Sequence, residues 1–304
     1  MTKRPPANLP ASVHQRLLDR ARASGRPFNE LLQHYANERF LYRLSKTPQA
    51  GKFVLKGALM LPVWKSSLSR PTQDIDLLGR ISNDIKALTS VMRAACDMNV
   101  EPDGMIFHAD TVQGRRIAEE AEYEGIRIRL RGNLGNARVF VQLDVGFGDA
   151  IAPAATDIDY PTILDFPAPR LKGYSRETTV AEKFHAMVKL GILNSRMKDF
   201  FDIWLLSRQF AFDGEALANA IGTTFRKRDT EVAQKPVAFQ EQFRRDATKQ
   251  AQWRAFLRKF MLTEAPDSFE EVVGTVSAFL EPVTEALAAK EPFRRTWRPP
   301  GPWK

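Results

Sequence analysis

The segment Gln73-Asp74-Ile75-Asp76-Leu77-Leu78 sets two carboxylates two positions apart inside an apolar run. In a strand, positions i and i+2 share a face, with Cα atoms about 6.5–7 Å apart. Acids so placed repel each other and resist leaving water. A divalent cation bridging them removes both penalties. Just upstream stands Leu55-Lys56-Gly57-Ala58-Leu59. A turn of small residues lets backbone N–H groups approach a phosphate chain, and Lys56 adds positive charge. Asp74 and Asp76 are therefore candidate ligands of Mg²⁺, with Mn²⁺ as substitute, and Lys56, Gly57 and Ala58 form a candidate nucleotide cradle. A surface turn with solvated aspartates is the competing reading.

The chain has 304 residues, 43% of them apolar, which is enough for one large domain or two moderate ones. No apolar run is expected to reach the roughly 18–20 residues a membrane span needs. The start, Met1-Thr2-Lys3-Arg4-Pro5-Pro6, lacks the apolar stretch of a signal peptide. The one cysteine, Cys96, excludes an intrachain disulfide and is expected to be a small buried helix residue. Together these features predict a cytoplasmic protein.

The net charge of +9 suits a polyanionic partner. Between Phe225 and Phe260 ten Lys/Arg face four Asp/Glu, and Lys290 to Lys304 holds five Lys/Arg and one Glu. Trp297 and Trp303 are interleaved with the second cluster. Cations with aromatics fit phosphate contact and base stacking; a solvated face with a loose tail fits equally well.

Hydrophobic periodicity predicts helices over 9–45, with Ser12 as first cap and Leu31, Leu32, Tyr35 and Phe40 inward in the second helix. It predicts another over 82–97, capped by Ser82 or Asn83. Strands are predicted at 75–78, around Ile106, over Ile126–Leu130 and over Val139–Val145. Gly132–Ala137 reads as a hairpin turn joining the last two as antiparallel neighbours. The Pro-rich stretch 152–175 reads as a connector, and from Arg176 to about Ala289 the periodicity is helical. These readings predict an α+β chain divided as 1–48 helical segment, 49–175 core, 176–290 helical domain and 291–304 basic tail.

Three further groups carry chemistry. In Gln142-Leu143-Asp144-Val145, alternation puts Asp144 opposite the apolar face, as a candidate third metal-binding carboxylate; strand-end aspartates are also common for structural reasons. In Thr179-Val180-Ala181-Glu182-Lys183-Phe184-His185, Thr179 and Glu182 fit a capping box. Lys183 falls on an inward stripe, where it meets a phosphate or snorkels; His185 reads as structural. In Arg196-Met197-Lys198-Asp199-Phe200-Phe201-Asp202, the aspartates share a helical face and one is expected to pair with Lys183 or Arg196.

Lys56-Gly57-Ala58-Leu59, Arg70-Pro71-Thr72-Gln73-Asp74-Ile75-Asp76, Leu143-Asp144-Val145-Gly146-Phe147-Gly148-Asp149, Ala181-Glu182-Lys183 and Arg196–Asp202 resemble, in order and spacing, the AbiEii/AbiGii nucleotidyltransferase toxin family. The resemblance implies a DNA polymerase β-like core with a C-terminal helical lobe. It implies transfer of a nucleotide from a nucleoside triphosphate to an acceptor, in some relatives the tRNA 3′ end, within toxin–antitoxin and phage-defence systems. By motif, Asp74 and Asp76 would hold metal, Lys183 would contact triphosphate, and Asp199 would be the essential acid of the last motif, ahead of Asp202. A cognate antitoxin is an expected partner. Ala58 departs from the family's usual second Gly or Ser and is less tolerant of positive φ. Transfer to a protein or small-molecule hydroxyl, or nucleotide or RNA binding without turnover, are the alternatives.

Overall fold

The computed structural model describes residues 8–66, 70–119 and 123–304, so the expectation for the first six residues lies outside it. The chain forms two compact units: residues 1–65, 71–148 and 156–173 in one, 66–70, 149–155 and 174–304 in the other.

The first unit contains α1 (Leu9–Ser24), α2 (Phe28–Lys46), β1 (Phe53–Lys56), α3 (Met60–Val63), β2 (Asp74–Gly79), α4 (Ile85–Cys96), β3 (Met105–Glu119), β4 (Tyr123–Leu134), β5 (Ala137–Phe147), β6 (Thr156–Asp159) and β7 (Arg170–Gly173). Its seven-stranded sheet runs β3-β4-β5-β2-β1-β7-β6. β2 lies parallel to β5 and antiparallel to β1, so the sheet is mixed, and with its covering helices this is the predicted α+β class.

Alternation builds the layers. Val139, Val141, Leu143 and Val145 of β5 are buried, as are Ile126, Ile128 and Leu130 of β4 and Ile75 and Leu77 of β2. They share one core with Leu17, Tyr35, Phe40, Leu88 and Met92 from the helices. The opposite face carries the polar residues. Four expectations are corrected. Asn8, not Ser12, caps α1, and Asp84, not Ser82 or Asn83, caps α4, each accepting a backbone N–H three residues on. The strand around Ile106 extends over fifteen residues, because its polar positions pair without being apolar. The Pro-rich stretch supplies two strands, β7 beside β1 and β6 at the sheet edge; its prolines flank the ladders, where no N–H is demanded.

Helix α2 is buried almost all round, which periodicity did not foresee. Glu38 and Arg39 pair at 2.8 Å, and Arg43 grips Asp103 with two bonds of 2.6 and 3.0 Å. Glu38 also accepts from the Ile163 N–H at 2.6 Å; burial pushes its carboxyl up to about 7. Cys96 is buried in α4 as expected, its thiol pushed up to about 12 by burial.

The second unit contains α5 (Arg176–Leu190), α6 (Met197–Gln209), β8 (Phe212–Asp213), α7 (Gly214–Lys227), α8 (Glu241–Arg244), α9 (Ala247–Phe260), α10 (Phe269–Ala289) and β9 (Thr296–Trp297). Contrary to the expected absence of such a run, α10 is long and apolar enough by composition to span a bilayer. It carries Glu270, Glu271, Glu281 and Glu285, and its Phe269, Val272, Val276, Phe279 and Val283 are buried against the unit's own core. The C-terminal residues are no loose tail. Trp297 donates to the Ser207 carbonyl at 2.6 Å and Trp303 stacks on Phe279 at 5.7 Å. Both tryptophans are buried, which removes them as base-stacking platforms.

The two faces of β5 predict opposite responses. Leu143→Ala is expected to cost about 2–5 kcal/mol in urea unfolding, because it opens a cavity in the core. Phe140→Ala, on the exposed face, should stay within about 0.5 kcal/mol of the parent.

Candidate functional site

In the first unit, strand pairing gathers the predicted residues. The register sets Lys56 beside Asp76, Asp76 beside Asp144, and Asp144 beside Arg127. Partners across a ladder share a face, so Lys56, Asp76, Asp144 and Arg127 form one row over four strands. Asp74 lies beside Gln142 in the neighbouring row. β2 thus presents both acids on the polar face while Ile75 and Leu77 enter the core.

Gly57 follows β1 directly and opens a tight 3₁₀ turn, Gly57–Leu59. Its φ of +70° is one L side chains rarely adopt. A Cβ there would stand 2.2 Å from Asp76 Oδ2 and 2.9 Å from its Cγ. The carboxylate therefore lies against bare backbone, and glycine is required twice over, for conformation and for space. The departure at Ala58 is mild: its backbone stays outside the left-handed region and the residue is buried.

Asp144 is held by Arg127 through two bonds, Nε–Oδ1 at 2.7 Å and Nη2–Oδ2 at 2.6 Å. The pairing raises the Arg127 guanidinium further, through the hydrogen bond to Asp144 and then the charges of Asp144, Asp74 and Asp76. Arg129 bonds Gln142 one row away at 2.7 Å. Among the described residues no three His, Cys, Asp or Glu side chains converge as a preformed metal cluster. Asp144 is turned to Arg127 on the same face, while Asp74 and Asp76 stand on β2, the ladder neighbour of the strand that leads into the glycine turn.

The second unit builds a buried ion network. Lys183 of α5 lies 2.8 Å from Asp199 Oδ1 and 2.8 Å from Asp202 Oδ2, both on α6. Arg196 reaches Asp199 at 2.7 Å, and Arg70 holds Asp202 with bonds of 2.9 and 3.0 Å. Burial works against the Asp202 carboxylate, but Arg70 and Lys183 outweigh it and hold its carboxyl down to about 2. Burial likewise opposes Asp199, which Lys183 and Arg196 keep below the usual carboxylate range. Burial would lower the Lys183 ammonium, and the two aspartates raise it instead. The expected pairing of one aspartate is thus a pairing of both.

The capping box is corrected. Ser175 caps α5, accepting from the Thr178 N–H at 3.0 Å, while Thr179 lies inside the helix. Glu182 accepts from the Tyr174 hydroxyl at 2.9 Å. His185 is structural as read, between Thr230 at 3.0 Å and Arg228 at 3.1 Å. Asp149 accepts from Arg228 at 2.9 Å. Sequence reasoning missed Arg127 and Arg70. For Arg127 the signal was present: a two-residue turn after Leu134 pairs 134 with 137 and hence 127 with 144.

The network has a defined pH window. Asp202 titrates near 2 folded against 3.8 unfolded, so its contribution is complete above about pH 4 and lost as pH falls through 2. Urea unfolding between pH 4 and 2 should show the parent losing about 2 kcal/mol from this group. Asp202→Asn should lack that loss and be about 3–5 kcal/mol less stable at pH 7, since Arg70 and Lys183 lose a buried partner.

Comparison with known proteins follows from these features. The model of the AbiEii nucleotidyl transferase toxin of Type IV toxin–antitoxin systems matches residues 39–275. No curated protein is similar enough to match. Two Helicobacter pylori crystal structures align with the chain. One is JHP933, 12% identical with a TM-score of 0.47, covering 83% of this chain and 91% of its own. The other is described as a "putative nucleotidyltransferase", 13% identical with a TM-score of 0.46, covering 91% and 97%. The family match takes in Gly57, Asp74, Asp76, Asp144, Lys183 and Asp199, and the chain belongs to the AbiEii nucleotidyltransferase toxin family.

Proposed function

We propose that this chain is a cytoplasmic, magnesium-dependent toxin that transfers a nucleotide from a nucleoside triphosphate to an RNA acceptor such as the tRNA 3′ end, so blocking translation. The observation that carries the reading is Gly57 against Asp76: a left-handed glycine whose missing Cβ leaves backbone on a carboxylate. That juxtaposition suits a triphosphate and its cation. Asp74 and Asp76 fit Mg²⁺, which takes one or two carboxylates and otherwise phosphate oxygens and water. When bound, Mg²⁺ supplies charge neutralisation at the phosphates and polarisation of the α-phosphorus.

The protein's own groups do the rest. The Gly57 turn and Lys56 receive the triphosphate. The acceptor hydroxyl oxygen bonds to the α-phosphorus and gives up its proton to water, the bond from that phosphorus to the bridging oxygen breaks, and pyrophosphate leaves with the electron pair. Asp144, fixed by Arg127, orients the hydroxyl; each carboxylate oxygen keeps a second lone pair beyond the one given to arginine. The family motif that Lys183 occupies assigns it to phosphate, and Asp199 and Asp202 each take one of its three donors. Asp199 acts by positioning Lys183. A cognate antitoxin would restrain the activity.

Purified protein with bulk tRNA, Mg²⁺ and each labelled nucleoside triphosphate in turn tests the reading. Label should enter RNA, and Asp76→Ala should cut the rate at least about 100-fold while the protein stays folded. Undiminished transfer by Asp76→Ala would refute the assignment. Gly57→Ala should likewise lose transfer, through a raised KM for the nucleotide, whereas Ala58→Gly should keep it. Steady-state kinetics on the two variants separate these outcomes.

A further inference from the structure

We propose that the open face of β3, β4 and β5 is a docking platform for single-stranded polynucleotide, the strand whose end reaches the carboxylates. This rests on the nucleotidyl-transfer reading above and names the surface its acceptor uses.

The face follows from the register. Its first row is Arg115, Arg127, Asp144 and Asp76; its second is Gln113, Arg129, Gln142 and Asp74. The next sets His108 beside Arg131 and Phe140, and the last sets Ile106 beside Asn133 and Arg138. One arginine-bearing row after another thus leads away from the acid pair over the same surface. Arg115, Arg129 and Arg138 are exposed. Successive arginines on β4 stand about 6.5–7 Å apart, a spacing an extended phosphodiester chain matches. Asp110, exposed at the irregularity in β3, adds an acid to that strand.

Charge alone would fit any polyanion; the apolar groups narrow it. Phe140 is 67% exposed and Ile106 62% exposed, although the inward faces of the same strands are fully packed. An uncovered ring among guanidinium groups offers stacking to an unpaired base, which an acidic polypeptide lacks. The C-terminal cluster, by contrast, has its tryptophans turned inward, with Arg294, Arg295 and Arg298 outside. A sheet displaying arginine and phenylalanine is the better platform.

The test measures binding of a fluorescein-labelled single-stranded RNA to the full chain without nucleotide, by anisotropy over a salt series. Arg115→Ala/Arg129→Ala/Arg138→Ala should lower the salt slope by about 2 and weaken binding at least about 10-fold at low salt. The matching Arg→Lys triple variant should keep the slope, which separates lost charge from lost fold. Phe140→Ala should weaken binding about 5- to 100-fold with the slope unchanged. Arg294→Ala/Arg295→Ala/Arg298→Ala should leave both affinity and slope unchanged. Unaltered binding by the first triple variant would overturn the proposal. So would displacement of the RNA by polyglutamate of equal length together with parental binding by Phe140→Ala. RNA binding that depends on this face, without label transfer to any acceptor, would leave the surface standing and remove the transfer reading. Transfer with an unchanged KM for RNA in the triple variant would do the reverse.

Discussion

The first unit depends on one non-local pairing, the parallel ladder between β2 and β5. It sets Asp76 beside Asp144 and Leu77 beside Val145 in the same register. A slip of one residue would turn Asp74 and Asp76 toward Leu55, Leu77 and Leu143's core and carry their apolar neighbours to water. Burial of the apolar face therefore enforces the geometry of the polar one. Charged groups need not stabilise this arrangement, and they do little to: the hydrophobic face supplies the free energy, and the acids are placed by it. The glycine turn after β1 then meets Asp76 because Lys56 is already its ladder partner.

Much of this was legible before the fold was known, and the failures have physical reasons. Alternation on β5 predicted the side Asp144 takes, and the helical face of α6 predicted ion pairing of one of Asp199 and Asp202, where both pair. Helix caps were misplaced by one to four residues, since several Ser, Thr, Asn and Asp side chains stood near these starts and only backbone geometry selects one. β3 was underestimated because a strand at a sheet edge tolerates polar residues on its open side. The C-terminal tryptophans misled because interleaved charge and aromatics look alike whether the rings stack on a ligand or on Phe279. What no local rule reveals is which distant strands pair, and the encounter of Asp76 with Asp144 belongs to that class.

Ala58 illustrates how a motif departure is weighed by position. Glycine is indispensable where φ is positive and where a Cβ would collide, and both conditions fall on Gly57. One residue later neither condition holds. The usual small residue at that position then serves compactness, which alanine satisfies, being buried with no polar atom to partner.

The two units hold their carboxylates by different devices. On the sheet face Asp144 is gripped by Arg127 through two bonds, a pairing that ladder register fixes. In the helical unit Asp199 and Asp202 are buried and meet Lys183, Arg196 and Arg70. Leaving a buried charge without its partner is costly, so removal of either aspartate would strand cations in surroundings shielded from water, and Lys183 would lose part of the pair that fixes its position.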